Sequence, residues 1–140
     1  MKKFFLFLLG FIPFTLWAQD SWKVQLNDKQ MLKTSDENAE KNVIRIKSSS
    51  LQNKKDFTIT YTEGEKKKNW QRYITIFNEQ DAELYKQTGS KIKIKNSVLA
   101  SLFKKSKTLK VYTWSLPTDP KLQQTVRVRR VHLCTLVFGP

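Results

Sequence analysis

His132 and Cys134 are the residues of this chain whose types most invite chemistry. They stand two apart on an alternating apolar stretch, so a regular strand points both side chains to one face. With Met31 they suggest a copper site of the His, Cys and Met kind. Such a site takes two histidines and a cysteine, and the chain holds one histidine and one cysteine. A structural zinc site takes four ligands and cannot be assembled either. A Cys134–His132 dyad is possible in composition, but no third residue is identifiable that would orient the imidazole. The plainer reading makes Cys134 a small core residue and His132 a partly buried strand residue. There is no G-x-S-x-G elbow. The four glycines are scattered, so no phosphate-cradling loop exists.

Two sets of carboxylates alternate, Glu79-Asp81-Glu83 and Glu63-Glu65. Acid–base work needs one carboxyl in an apolar setting that raises its pKa. Neither set has apolar neighbours, so both read as solvated, and the first matches no calcium loop. The expectation is no catalytic residue, no metal and no cofactor.

What survives is basic plus aromatic. Arg127, Arg129 and Arg130 fall on the last strand, and Tyr112 and Trp114 on the strand expected to pair with it. If they share an outer face, these five are candidates for binding an anionic sugar or a single strand of nucleic acid. The competing arrangement turns the rings into the core and pairs the arginines with carboxylates such as Asp119.

Short alternating runs must position these residues. Strands are expected at 22–26, 43–47, 57–62, 70–77, 91–95 and 109–114, with Trp70, Arg72, Ile74 and Ile76 sharing a face. The stretch 28–42 reads as polar, with a loop or one helical turn at 35–41. Residues 63–69 read as a hairpin loop, and 78–90 as polar with a short strand at Leu84-Tyr85. Val98, Leu99, Leu102 and Phe103 follow helical spacing. Asn96 or Ser97 is placed to cap that helix, and Lys104 and Lys105 to meet its negative end. Pro117 and Pro120 bracket a turn. The last strand is expected over 125–138. There Arg130 falls on the inward face unless a bulge near Arg129-Arg130 resets the parity; the alternative buries both faces of its second half. The pattern predicts an all-β fold, an antiparallel β-sandwich of about seven or eight short strands with one short helix. A closed barrel is the alternative.

The first eighteen residues read as a secretory leader: Lys2 and Lys3, an apolar run from Phe4 to Trp17, then the small Ala18. The run is too short for a spanning helix, which takes about 20 residues. Cleavage is expected between Ala18 and Gln19, leaving residues 19–140 as one β-sandwich domain with no transmembrane segment. One cysteine allows no internal disulfide. The chain carries 26 Lys and Arg against 12 Asp and Glu, a net charge of +14. That excess favours anionic partners, unless the lysines merely coat the solvent faces of strands.

The leader ending Leu16-Trp17-Ala18-Gln19, the run from Tyr112 to Pro120 and the run from Arg127 to Cys134 resemble small exported single-domain proteins of Bacteroidota-type bacteria. The resemblance implies export to the cell envelope and no catalytic residue. The sequence therefore predicts an exported, periplasmic or extracellular, non-enzymatic domain with a binding or structural role. Its expected partners are an anionic polymer or another envelope protein; nucleic acid is not expected. A basic-surface binder of anionic glycan, lipopolysaccharide or other phosphate polymer is the sharper form. A small hydrolase with an unrecognised site is the competing class.

Overall fold

Strand β1 (Ser21–Leu26) buries Trp22, Val24 and Leu26 while Lys23 and Gln25 lean outward, as period-two alternation requires. The computed structural model describes residues 18–140; most of the expected leader lies outside them. Asn27 and Asp28 take φ of 52° and 65° and close a two-residue loop. That primed turn suits the right-handed twist of a hairpin. The return strand β2 (Lys29–Thr34) occupies a stretch expected to be polar loop. It is an edge strand with no fully buried residue, so its sequence needs no alternation. Residues 35–42 form a loop with no helix.

The rest runs β3 (Val43–Lys47), a 3₁₀ turn (Ser48–Gln52), β4 (Asp56–Thr62), β5 (Trp70–Phe77), β6 (Glu83–Thr88) and β7 (Lys91–Lys95). It ends with α1 (Asn96–Lys105), β8 (Thr108–Pro117), a single-turn α2 (Pro120–Gln123) and β9 (Val131–Gly139). Two sheets form, in the orders β2-β1-β4-β7 and β3-β9-β8-β5-β6. They face each other as a sandwich and do not close into a barrel. Pairing is antiparallel except between β3 and β9, which run parallel. Ile44, Ile59, Ile74 and Ile92 meet between the sheets in one core cluster. Each such side chain contributes about 1.5–3 kcal/mol by leaving water. Helix α1 packs Leu99, Leu102 and Phe103 against that core, with Phe103 stacked on Phe138 at 5.0 Å.

Four local expectations are corrected. Residues 63–69 are not a hairpin loop: they carry the chain from β4 in one sheet to β5 in the other. The short strand at Leu84-Tyr85 is the six-residue β6, held by a full ladder with β5. Asn96 is the first helical residue rather than the cap, and Lys95 in the cap position gives no side-chain hydrogen bond. The last strand begins only at Val131, because residues 124–130 run as irregular chain after α2.

Strand β9 does contain a bulge, at Leu133 instead of Arg129-Arg130. Tyr112 pairs with His132 and the adjacent Val111 with Cys134, so Leu133 has no partner on β8. Its carbonyl accepts the indole N–H of Trp22 at 2.9 Å, a buried bond between the two sheets. Trp22 is stacked on Tyr61, with ring centroids 6.0 Å apart.

Candidate functional site

The bulge decides the fate of the most reactive pair. By inserting one residue it reverses the parity of β9, so His132 and Cys134 do not point to the same face. Cys134 lies in the core cluster and is fully buried. Burial pushes its thiol well above the usual range, so it stays a protonated apolar filler. His132 faces outward, its ring set edge-on against Tyr112 at 5.4 Å. Its Nε2 lies 2.8 Å from the Thr135 hydroxyl, while Nδ1 has no partner. Burial lowers its pKa, against a smaller opposing pull from Glu37. A Cys–His dyad is therefore excluded by geometry. Among the described residues no three His, Cys, Asp or Glu side chains converge as a metal site.

The outer face of the five-stranded sheet holds the aromatic candidates. Odd residues of β5 and even residues of β8 point there: Tyr73, Thr75 and Phe77 beside Lys110, Tyr112 and Trp114. The rings form a layer, Trp114 with Tyr73 at 6.3 Å and with Phe77 at 6.2 Å, and Phe77 edge-on to Tyr112 at 5.6 Å. Cations lie on it. Lys86, from β6, sits 4.5 Å from the Tyr73 ring and 5.5 Å from that of Trp114. The Arg130 guanidinium covers Tyr112 at 4.7 Å and Phe77 at 5.0 Å. This layer removes Thr75 from solvent although it points away from the core, and its hydroxyl has no partner.

The five candidates thus divide. Tyr112, Trp114 and Arg130 come together on this face. Arg130 also makes a two-pronged contact with Asp81 at 3.1 and 3.3 Å. Arg129 turns aside to pair with Glu37, whose other oxygen accepts the His132 backbone N–H at 3.0 Å. Arg127 is exposed on the irregular segment 124–130. Sequence reasoning missed Lys86 and Tyr73. Their signal was alternation on β5 and β6, but β6 was read as mostly loop, so nothing linked them to Trp114.

A second polar cluster occupies one end of the sandwich. Arg72 points inward as its parity requires, 2.6 Å from Glu63 and 3.1 Å from the Thr113 hydroxyl, with its guanidinium over the Tyr61 ring at 4.2 Å. Tyr61 donates to Asp20 at 2.6 Å, and burial together with that bond pushes the phenol upward. Asp20 also accepts the Gly64 N–H at 2.8 Å. A side chain at position 64 would collide with the Ala18 carbonyl, 1.9 Å from an added Cβ. A depression of about 300 Å³ lies beside this cluster, lined by Asp20, Glu37, Tyr61 and Arg129. Both carboxylates there are occupied as acceptors, and the cluster fastens the chain at this end of the sandwich.

Comparison with known proteins finds no family model and no curated relative that matches this chain. The functional reading rests on the fold and these side chains.

Proposed function

We propose that this protein is an exported, non-enzymatic binding domain of the cell envelope, and that its ligand is an anionic glycan or similar polyanion. One observation carries the reading: a largely covered but partly accessible aromatic layer on the outer sheet face with Lys86 and Arg130 lying across its rings. Sugar rings stack on such a surface, and fixed cations attract acidic groups at its margin. Asp81 and Glu37 already neutralise much of Arg130 and Arg129. Lys86 and Lys110 therefore supply the attraction, and the rings supply the contact area. The net charge of +14 concentrates polyanions near the surface without specifying them.

Chromatography of residues 19–140 on immobilised heparin and on lipopolysaccharide tests this. Retention is expected at low salt and should fall steeply as salt rises, because bound lysines release counterions. Trp114→Ala should elute earlier than the parent at the same net charge. Absence of retention at about 0.05 M salt, or identical elution of Trp114→Ala, rejects the reading.

A further inference from the structure

Asn78 holds the turn between β5 and β6. Its Oδ1 accepts the N–H groups of Gln80 at 3.0 Å and Ala82 at 2.8 Å. Its backbone N–H donates to the Ala82 carbonyl at 3.0 Å, and its carbonyl accepts the Asp81 N–H at 3.1 Å. Asp81 occupies the corner with φ of 62°, a conformation that Asp and Asn tolerate better than most side chains. The Asp81 carboxylate takes no part in these bonds. It is engaged instead by the two-pronged Arg130 contact at 3.1 and 3.3 Å.

Arg130 comes from the irregular segment before β9. Among the described residues, 126–130 make no backbone–backbone hydrogen bond, so its guanidinium can turn without loosening the ladder. That group lies over Tyr112 and Phe77 while its donors meet Asp81. An acid group is therefore already seated at the margin of the ring layer, in the paired geometry that a guanidinium offers a carboxylate. The seat is open to water, with the Arg130 and Asp81 side chains 40% and 58% exposed. An exposed pair of this kind is weak and exchangeable. Glu37 on Arg129 differs, because it also accepts the His132 N–H and stays tied if Arg129 leaves. Further along the layer, Lys86 is exposed and makes no ion pair among the described residues.

We propose that Asp81 is an internal stand-in for the ligand: a sugar carboxylate replaces it on Arg130, and the ligand is a uronate-bearing glycan. The exchange keeps both N–H···O bonds, and the turn survives because Asn78 holds it. The sugar ring then lies against the neighbouring aromatic rings, and Lys86 meets the acid group of a following residue. Sulfate ester oxygens are less basic and accept weaker hydrogen bonds, so a sulfated glycan gains less from the exchange. This inference deepens the reading above and rests on it.

Titration calorimetry with trigalacturonate at fixed ionic strength tests it, comparing Asp81→Asn with Asp28→Asn. Asp28 is a fair control: it too is exposed, has φ of 65° and pairs with a cation, Lys55. The two variants carry the same net charge, and Asn suits both corners. Asp81→Asn should bind roughly two- to fivefold more tightly than Asp28→Asn, the worth of an exposed ion pair no longer displaced. The difference should vanish when Arg130→Lys is added to both, since Lys keeps the charge and lacks the fork. It should shrink with a trisulfated oligosaccharide of the same charge. Equal affinity of the two variants overturns the proposal, as does weaker binding by Asp81→Asn or an equal gain with the sulfated ligand. Heparin retention that depends on Trp114 but ignores Asp81 removes this inference and leaves the reading beneath it standing; no retention at all removes both.

Discussion

The two sheets have similar inner faces and opposite outer ones. On the four-stranded sheet the outward row across the strands is Lys33, Lys23, Thr60 and Lys91, with Gln25, Thr58 and Lys93 beside it. Lys23 and Lys33 stand directly opposite each other, a pairing that costs stability unless water screens it. This face is solvated and does nothing further for the fold. On the five-stranded sheet the equivalent row is Lys86, Thr75, Tyr112 and His132, roofed by Phe77, Trp114 and Arg130. Here cations replace water over the rings. A face covered by its own side chains is built from groups that a ligand can displace or join, and that is the physical difference between a coat and a site.

The contrast presumes a common interior, and the largest perturbation is to break that. Trp22→Ala removes the stacked ring and the N–H that meets Leu133; it should cost about 3–5 kcal/mol in chemical denaturation. Trp22→Phe should recover most of this, leaving about 1–2 kcal/mol for the orphaned Leu133 carbonyl. Next comes the comparison itself. Trp114→Ala should cost about 2 kcal/mol, while Thr60→Ala on the opposite outer face should stay within about 0.5 kcal/mol. Equal losses would show that the two faces do not differ as described.

A smaller effect is set by pH. In the unfolded chain His132 titrates near its ordinary 6.5, and in the fold burial holds it lower. Above that value the group is neutral in both states and costs nothing. As pH falls through 6.5 the unfolded chain takes a proton that the fold refuses, so stability declines until the folded ring also titrates. Melting temperature measured at pH 7 and then in steps below 6.5 should fall less for His132→Gln than for the parent. Smallest is Thr75→Val, which removes a buried hydroxyl without a partner at nearly constant volume. It should be neutral or stabilising by about 1 kcal/mol. A loss would reveal a bond to the hydroxyl, and a loss of glycan retention as well would place Thr75 in the binding face.

Legibility in the sequence followed the same divide. Trp22-Val24-Leu26, Phe57-Ile59-Tyr61 and Ile92-Ile94 alternate cleanly because one side of their strands meets water, and their placement is as expected. Strand β2 carries no such pattern because it is an edge, and the Asn27-Asp28 turn shows itself only in the fold. Strand β5 is buried on both sides from Ile74 to Phe77, which records a covered outer face. Tyr112, Trp114 and Arg130 were found from residue type, but Lys86 and Tyr73 needed the β5–β6 pairing. The separation of His132 from Cys134 was not legible, since a single unpaired residue changes parity without changing composition. Asn96 was read as a cap because its type suits one; its burial among Asn27 and Asn53 depends on contacts far along the chain.

Leu133 is the one residue of β9 that the ladder with β8 passes over between Val131 and Val137. Removing almost any other residue from that strand would turn its later side chains inside out. Removing Leu133 would instead yield an uninterrupted ladder, with His132 still opposite Tyr112 and Cys134 still opposite Val111. The shortened protein would keep the alternation of both faces, and would lose a fully buried core side chain together with the acceptor that joins Trp22 to the other sheet. The surplus residue thus serves as a rivet through the sandwich, and a one-codon deletion separates what fastens the layers from what orders them.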